Sequence, residues 1–120
     1  GGTGSGAILM ETDGLGNNII VYIAGSSIFT ESGSPAVNTW HQYALVKDSS
    51  VIRLYRDGVQ VGSASNSTSI GGSYTPTWGA YANGTFAFSG YQDEMRITKN
   101  VCRYPGGITY TPATGQFPDS

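Results

Sequence analysis

Residues 40–65 read WHQYALVKDSSVIRLYRDGVQVGSAS, and this stretch decides the fold class. Residues 40–47 and 51–56 are rich in β-branched and aromatic side chains, the composition of strands. Asp57-Gly58 then separates VIRLYR from VQVGSAS at 59–65. An Asp-Gly pair between two such runs is the strongest short-range hairpin signal, because both turn positions need positive φ. Val59 and Val61 point one way and Gln60 the other, the period of two that a strand imposes.

The same signals continue outward. Residues 7–12 (AILMET) and 18–24 (NIIVYIA) are predicted strands flanking the turn signal Asp13-Gly14-Leu15-Gly16. A short strand over 27–30 precedes the loop 31–37, which contains Gly33 and Pro35. Residues 66–76 are polar and glycine-rich, hence loop. Strands are predicted again over 78–81, 85–88 and 90–98, with Asn83-Gly84 as a second hairpin turn. Within 90–98, Tyr91, Asp93, Met95 and Ile97 share one face, and Gln92, Glu94 and Arg96 share the other. After Asn100, Pro105, Pro112 and Pro118 predict an irregular tail. Residues 1–6 (GGTGSG) read as a linker, leaving 7–120 as a single domain. No segment reads as a helix, so an α/β nucleotide-binding fold is excluded. Short strands separated by turns predict an antiparallel β-sandwich or barrel.

Composition agrees. Glycine, serine and threonine fill 44 of 120 positions, while only two lysines and three glutamates are present. That is poor material for helices. Yet 38% hydrophobic and 12% aromatic residues exceed what a disordered linker carries. Six basic against eight acidic residues, scattered along the chain, give no footprint for nucleic acid. No apolar run reaches the roughly 18 residues of a membrane span. A single cysteine, Cys102, excludes an intrachain disulfide and a cysteine-cluster metal site.

Three segments carry a family resemblance: NTWHQYALVK at 38–47, LYRDG at 54–58 and FSGYQDEMRIT at 88–98. The order W-H-x-x-A-L-V, then L-Y-x-D-G, then F-x-G-x-x-D-E-x-R-I resembles the laminin-G-like, concanavalin-A-like jelly rolls over residues 18–118. The tail TKNVCRYPGGITYTPATGQFP at 98–118 resembles the ending of bacteriophage structural proteins of that group. Cys102 stands where alanine is usual, and Tyr-Thr-Pro-Ala replaces Thr-Pro-Pro. The resemblance implies an all-β sandwich with further strands ahead of Ala7. Those strands are either dispensed with or supplied by a neighbouring chain, and the second alternative predicts a homo-oligomer or assembly subunit.

Candidate chemistry follows from few residues. Asp93 and Glu94 are adjacent, and in a strand adjacent side chains point to opposite faces. They cannot face one substrate as paired glycosidase carboxylates do. The alternating E-x-D-x-E run of jelly-roll glycoside hydrolases does not occur. His41, the sole histidine, is expected to pack or hydrogen-bond inside a strand beside a core Trp40, and Cys102 to be a small buried hydrophobe. No motif demands a cofactor. Calcium is the one candidate, since many laminin-G-like modules resemble hard-cation sites at a loop rim. Asp13, Asn17, Asp48 and Asp57 lie in predicted turns and could supply oxygens; the alternative is that they occupy turns for backbone reasons.

Aromatic residues remain. Trp40, Tyr43, Tyr55, Phe86 and Phe88 are expected to build the core. Tyr74, Trp78 and Tyr81, with Asn83 in the adjoining turn, form the candidate glycan site, where rings stack on sugar faces and polar groups take the hydroxyls; the alternative is that Tyr74 and Trp78 join the core. These readings predict a non-enzymatic binding module of a phage or bacterial surface structure, located on a virion or cell surface. The alternative is a purely structural virion subunit that binds only protein. Neither nucleic acid nor membrane is an expected partner.

Overall fold

The computed structural model describes residues 6–13, 18–71, 77–80 and 88–115. Among the described residues the strands form two antiparallel three-stranded sheets. The first is the meander β1 (Ile8–Thr12), β2 (Ile19–Ile23) and β3 (Ser26–Thr30); the second is β4 (Tyr43–Asp48), β5 (Val51–Arg56) and β6 (Val59–Ser65). The β5–β6 turn is the one its sequence dictates. Asp57 has φ 53° and Gly58 φ 86°, both in the left-handed region that a two-residue type I′ hairpin needs. Arg56 pairs with Val59 across it.

The β2–β3 turn uses the same geometry at Ala24 (φ 51°) and Gly25 (φ 83°). Alanine offers no cue for this turn, and the strand expected over 18–24 stops one residue earlier, at Ile23.

The two sheets close on one another at the β3–β6 side. Beyond β3 the Ser32 N–H donates to Val61 O at 2.7 Å. Val21, Leu54 and Val61 form the buried centre, with Ile19, Ile28, Phe29, Tyr43 and Leu45 packed against it. A Cβ on Gly62 would sit 2.6 Å from a ring carbon of Phe29, so the glycine admits the ring between the sheets.

Glu31 locks the same junction. Its side chain is fully buried and accepts hydrogen bonds from Ile19 N–H (2.8 Å), the Tyr43 hydroxyl (3.1 Å to both oxygens) and Arg56 Nη1 (2.8 Å). A buried carboxylate is tolerable only when paired and hydrogen-bonded in this way. Burial first, and then the Glu31 charge, pushes the Tyr43 hydroxyl up to about 12, so it remains a donor.

Leu54 packs toward the first sheet, and the next residue, Tyr55, is buried under the C-terminal tail. Tyr104 and Tyr110 stack in parallel at 3.6 Å, and Tyr55 meets both edge-on at 6.1 and 5.4 Å. The Tyr55 hydroxyl donates to Tyr104 O at 3.0 Å. Tyr110 N–H donates to Gly58 O at 2.9 Å and its hydroxyl to Gln42 Oε1 at 2.7 Å. A 3-10 turn at Pro105–Gly107 brings Gly106 N–H to Asp48 Oδ2 at 3.2 Å. Over its described residues, 101–115, the tail forms no strand and is fastened to β5.

Several expectations are corrected. Trp40 is 68% exposed rather than core. Sheet pairing begins only at Tyr43, because residues 36–42 are held in a bent loop by side-chain bonds. His41 therefore lies outside any strand. Residues 90–98 form no strand. Glu94 adopts φ 55° while the Asp93 carboxylate accepts the Glu94 N–H at 2.8 Å, a local side-chain bond that competes with strand pairing. Phe88 is exposed and not in a strand, and residues 78–80 form a bend. Phe86 lies outside the described residues, while Tyr43 and Tyr55 do belong to the packed interior.

Candidate functional site

Two segments outside the strands lie side by side. Phe88 N–H donates to Gly79 O at 2.6 Å. Gln92 Oε1 lies 3.5 Å from where a Cβ on Gly79 would be. Residues 77–80 and 88–92 are thus neighbours, and they carry Trp78, 54% exposed, and Tyr91, 88% exposed. Gly79 has φ 82°, a left-handed bend immediately after Trp78. The result is two large rings in water on adjoining segments, with a side-chain amide between the segments. Apolar ring faces combined with an amide that both donates and accepts are the chemistry a pyranose requires.

Of the four residues the sequence nominated for glycan contact, Trp78 is placed here in an exposed position. Tyr74, Tyr81 and Asn83 lie outside the described residues. Tyr91 is not among the nominated residues; alternation only groups it with Asp93, Met95 and Ile97 on one face of the expected strand. The exposed, non-strand course of residues 90–92 brings it to the surface.

A second constellation lies at the β5–β6 turn. His41 Nδ1 is 2.7 Å from Asp57 Oδ2, and His41 Nε2 is 2.8 Å from Ala36 O. Both partners are acceptors, so the imidazolium alone satisfies both bonds. The Asp57 hydrogen bond first, and then that of Ala36, raises the His41 pKa above its ordinary value. For Asp57 burial pushes upward, but the bonds from His41 and from Gln42 N–H (2.9 Å) prevail and hold its carboxyl low. This histidine has no ring nitrogen left to act as a general base. It is a clamp joining the loop after β3 to the hairpin.

Two of the nominated cation ligands, Asp48 and Asp57, lie far apart. Asp48 and Asp57 stand at opposite ends of β5, roughly 20 Å apart for six extended residues. Asp48 Oδ2 is taken by Arg53 Nη1 at 3.1 Å and by Gly106 N–H, and Asp57 by His41 and Gln42. Asp13 closes the β1–β2 connection through its N–H to Asn18 O at 2.8 Å. Asn17 lies outside the described residues. Among the described residues no three of histidine, cysteine, aspartate and glutamate gather. Asp48 and Asp57 therefore do not fit one calcium cage, which needs six to eight oxygens within about 2.6 Å. Cys102 is half-buried with a free thiol.

A laminin G family model, described as concanavalin A-like lectin/glucanases superfamily, matches residues 2–103. No curated protein and no solved structure matches the chain.

Proposed function

Since the chain belongs to the concanavalin A-like lectin/glucanases superfamily, we propose that it is a non-catalytic carbohydrate-binding module that receives a glycan on Trp78 and Tyr91. The observation that carries this reading is the exposure of both rings on adjoining segments. Stacking supplies affinity and the Gln92 amide supplies hydrogen bonds to hydroxyls. The superfamily also includes glucanases. The lack of an E-x-D-x-E run, together with a histidine whose two nitrogens are both engaged, favours binding over hydrolysis. Loops on a rigid sandwich are the usual place for such recognition. The phage-like ending at 98–118 supports a setting on a virion or cell surface.

One observation favours a second reading, that of a structural virion subunit binding protein. Met95, Ile97, Val101 and Ile108 are all exposed, and exposed apolar residues on one segment suit a protein partner.

A glycan array probed with the wild type, Trp78→Ala and Tyr91→Ala tests the first reading. Removing a ring that covers roughly 80 Å² of sugar face at about 25 cal/mol per Å² costs about 2 kcal/mol, a loss of roughly 30-fold. Binding above background that falls in both variants supports the module. A wild type silent across the array, with assembly onto a virion protein, favours the structural subunit.

A further inference from the structure

We infer that Trp40 is a further carbohydrate-contact residue, on a loop of its own and positioned by the His41 clamp. The inference rests on the carbohydrate reading and extends it to a second ring.

Trp40 is more exposed than Trp78. A lone exposed apolar residue needs no explanation. What sets Trp40 apart is how firmly the backbone beside it is held. His41 is bonded through both ring nitrogens, to Asp57 and to Ala36 O. Gln42 N–H donates to Asp57 Oδ1 at 2.9 Å, and Asp57 N–H returns to Gln42 O at 2.8 Å. Gln42 Oε1 also accepts the Tyr110 hydroxyl.

On the other side of the ring, Asn38 takes φ 55°. The Thr39 hydroxyl donates to Val37 O at 3.2 Å. The loop thus holds its tryptophan in water rather than folding it into the core. A loop backbone held in advance loses little freedom on binding, which is how preorganisation raises affinity. Exposed Asn38 and Thr39 beside it can reach hydroxyls that a stacked sugar leaves at the ring edge.

His41 is a positioning residue here. The groups facing it are the Asp57 carboxylate and the Arg56 guanidinium from the β5–β6 hairpin, and the Ala36 carbonyl from its own loop. Asp57 favours the imidazolium and Arg56 opposes it, while Arg56 is itself paired with Glu31. Neutral imidazole carries one N–H and can keep only one of the two bonds. The Trp40 contact therefore weakens as pH rises through the raised His41 value.

The test uses single-tryptophan proteins. Trp78→Phe leaves Trp40 as reporter, and Trp40→Phe leaves Trp78. Each is titrated with β-glucan, galactan and mannan hexasaccharides while tryptophan emission is followed at pH 5.5 and 8.5. The expected result is a spectral shift from both reporters with one sugar class. Trp40→Ala then binds roughly tenfold more weakly. The Trp40 reporter loses affinity severalfold between the two pH values, and His41→Gln removes that pH dependence. A shift from Trp78 with silence from Trp40 overturns the inference and leaves the carbohydrate reading intact. Silence from both reporters with every sugar overturns the two together. A Trp40 response whose pH profile is unchanged in His41→Gln overturns the positioning role.

Discussion

Replacing Gly58 by alanine separates the two demands that the β5–β6 turn places on one residue. At φ 86° the residue is in the left-handed region, where an L side chain costs about 1 kcal/mol. The added Cβ would also lie 1.7 Å from Tyr110 O and 3.2 Å from Pro112 Cδ. That first contact is with backbone, so rotating a side chain cannot relieve it, and the tail must leave the hairpin. Leaving forfeits the Tyr110 N–H bond to Gly58 O and the hydroxyl bond to Gln42, about 1 kcal/mol each. It also forfeits the Tyr55 edge contact, about 1 kcal/mol more. The Gly58→Ala loss is therefore about 4 kcal/mol.

Gly106 supplies the control. It has φ 72°, and no atom lies within 4 Å of its Cβ position, so Gly106→Ala pays only the backbone strain of about 1 kcal/mol. Urea denaturation followed by far-UV circular dichroism measures both, with tyrosine near-UV signal reporting the stacked rings. At ~4 °C per kcal/mol for a chain of this size, melting points should fall by roughly 16 and 4 °C. If the two variants agree within about 0.5 kcal/mol, the tail does not seat on the hairpin and the account of β5 as covered on both faces fails.

Glu31→Gln should cost about 2 kcal/mol, because Arg56 is then left partly buried without its counter-charge. A double-mutant cycle with Arg56→Met should give a second step much smaller than Arg56→Met alone; independent, additive effects would contradict the pairing. Stability should also follow the His41–Asp57 clamp. The raised His41 value contributes below about pH 6.5 and is lost as pH climbs through it. The depressed Asp57 value contributes above about pH 3.8 and is lost as pH drops through it. Thermal melts should be highest between those limits and fall modestly toward pH 8.5. In His41→Gln the alkaline fall should vanish, and a wild-type profile flat from pH 6 to 8.5 would refute the clamp. Asp57 is half-exposed, so solvent screening keeps its share small.

The strands that were legible in the sequence are those whose pairing is local. Val51–Arg56 and Val59–Ser65 emerge with the predicted bounds, because Asp57-Gly58 fixes their turn from two residues alone. Residues 90–98 carry an equally clear period of two, but alternation describes only what a strand would bury. It is silent about Asp93 capturing the next N–H. Trp40 misled for a related reason: apolar character argued for burial, while the bonds that end β4 at Tyr43 come from residues up to 16 positions away. His41 and Asp57 were both singled out, yet for separate roles. Their union was recoverable from register, since Tyr43 facing Arg56 brings the residue two places before one strand near the turn just after the other.

The Asp57-Gly58 turn thereby does more than reverse the chain. Asp57 uses its carboxylate to hold His41 and Gln42, which fixes the loop carrying Trp40. Gly58 uses its missing side chain to admit Tyr110, which fixes the tail. The two attachments meet where the Tyr110 hydroxyl reaches Gln42. Burial above all, with Tyr104 adding to it, pushes that hydroxyl up to about 12, so the link survives the alkaline range in which His41 loses its proton. Raising the pH should therefore loosen the loop at Ala36 while Gln42 stays tethered, so that Trp40 gains freedom on its N-terminal side alone. Amide hydrogen exchange resolves this asymmetry. At pH 8.5, compared with pH 5.5 after correction for intrinsic rates, protection should fall at residues 36–40 and hold at Gln42. An equal loss at both ends would mean that the tail contributes nothing to holding the loop.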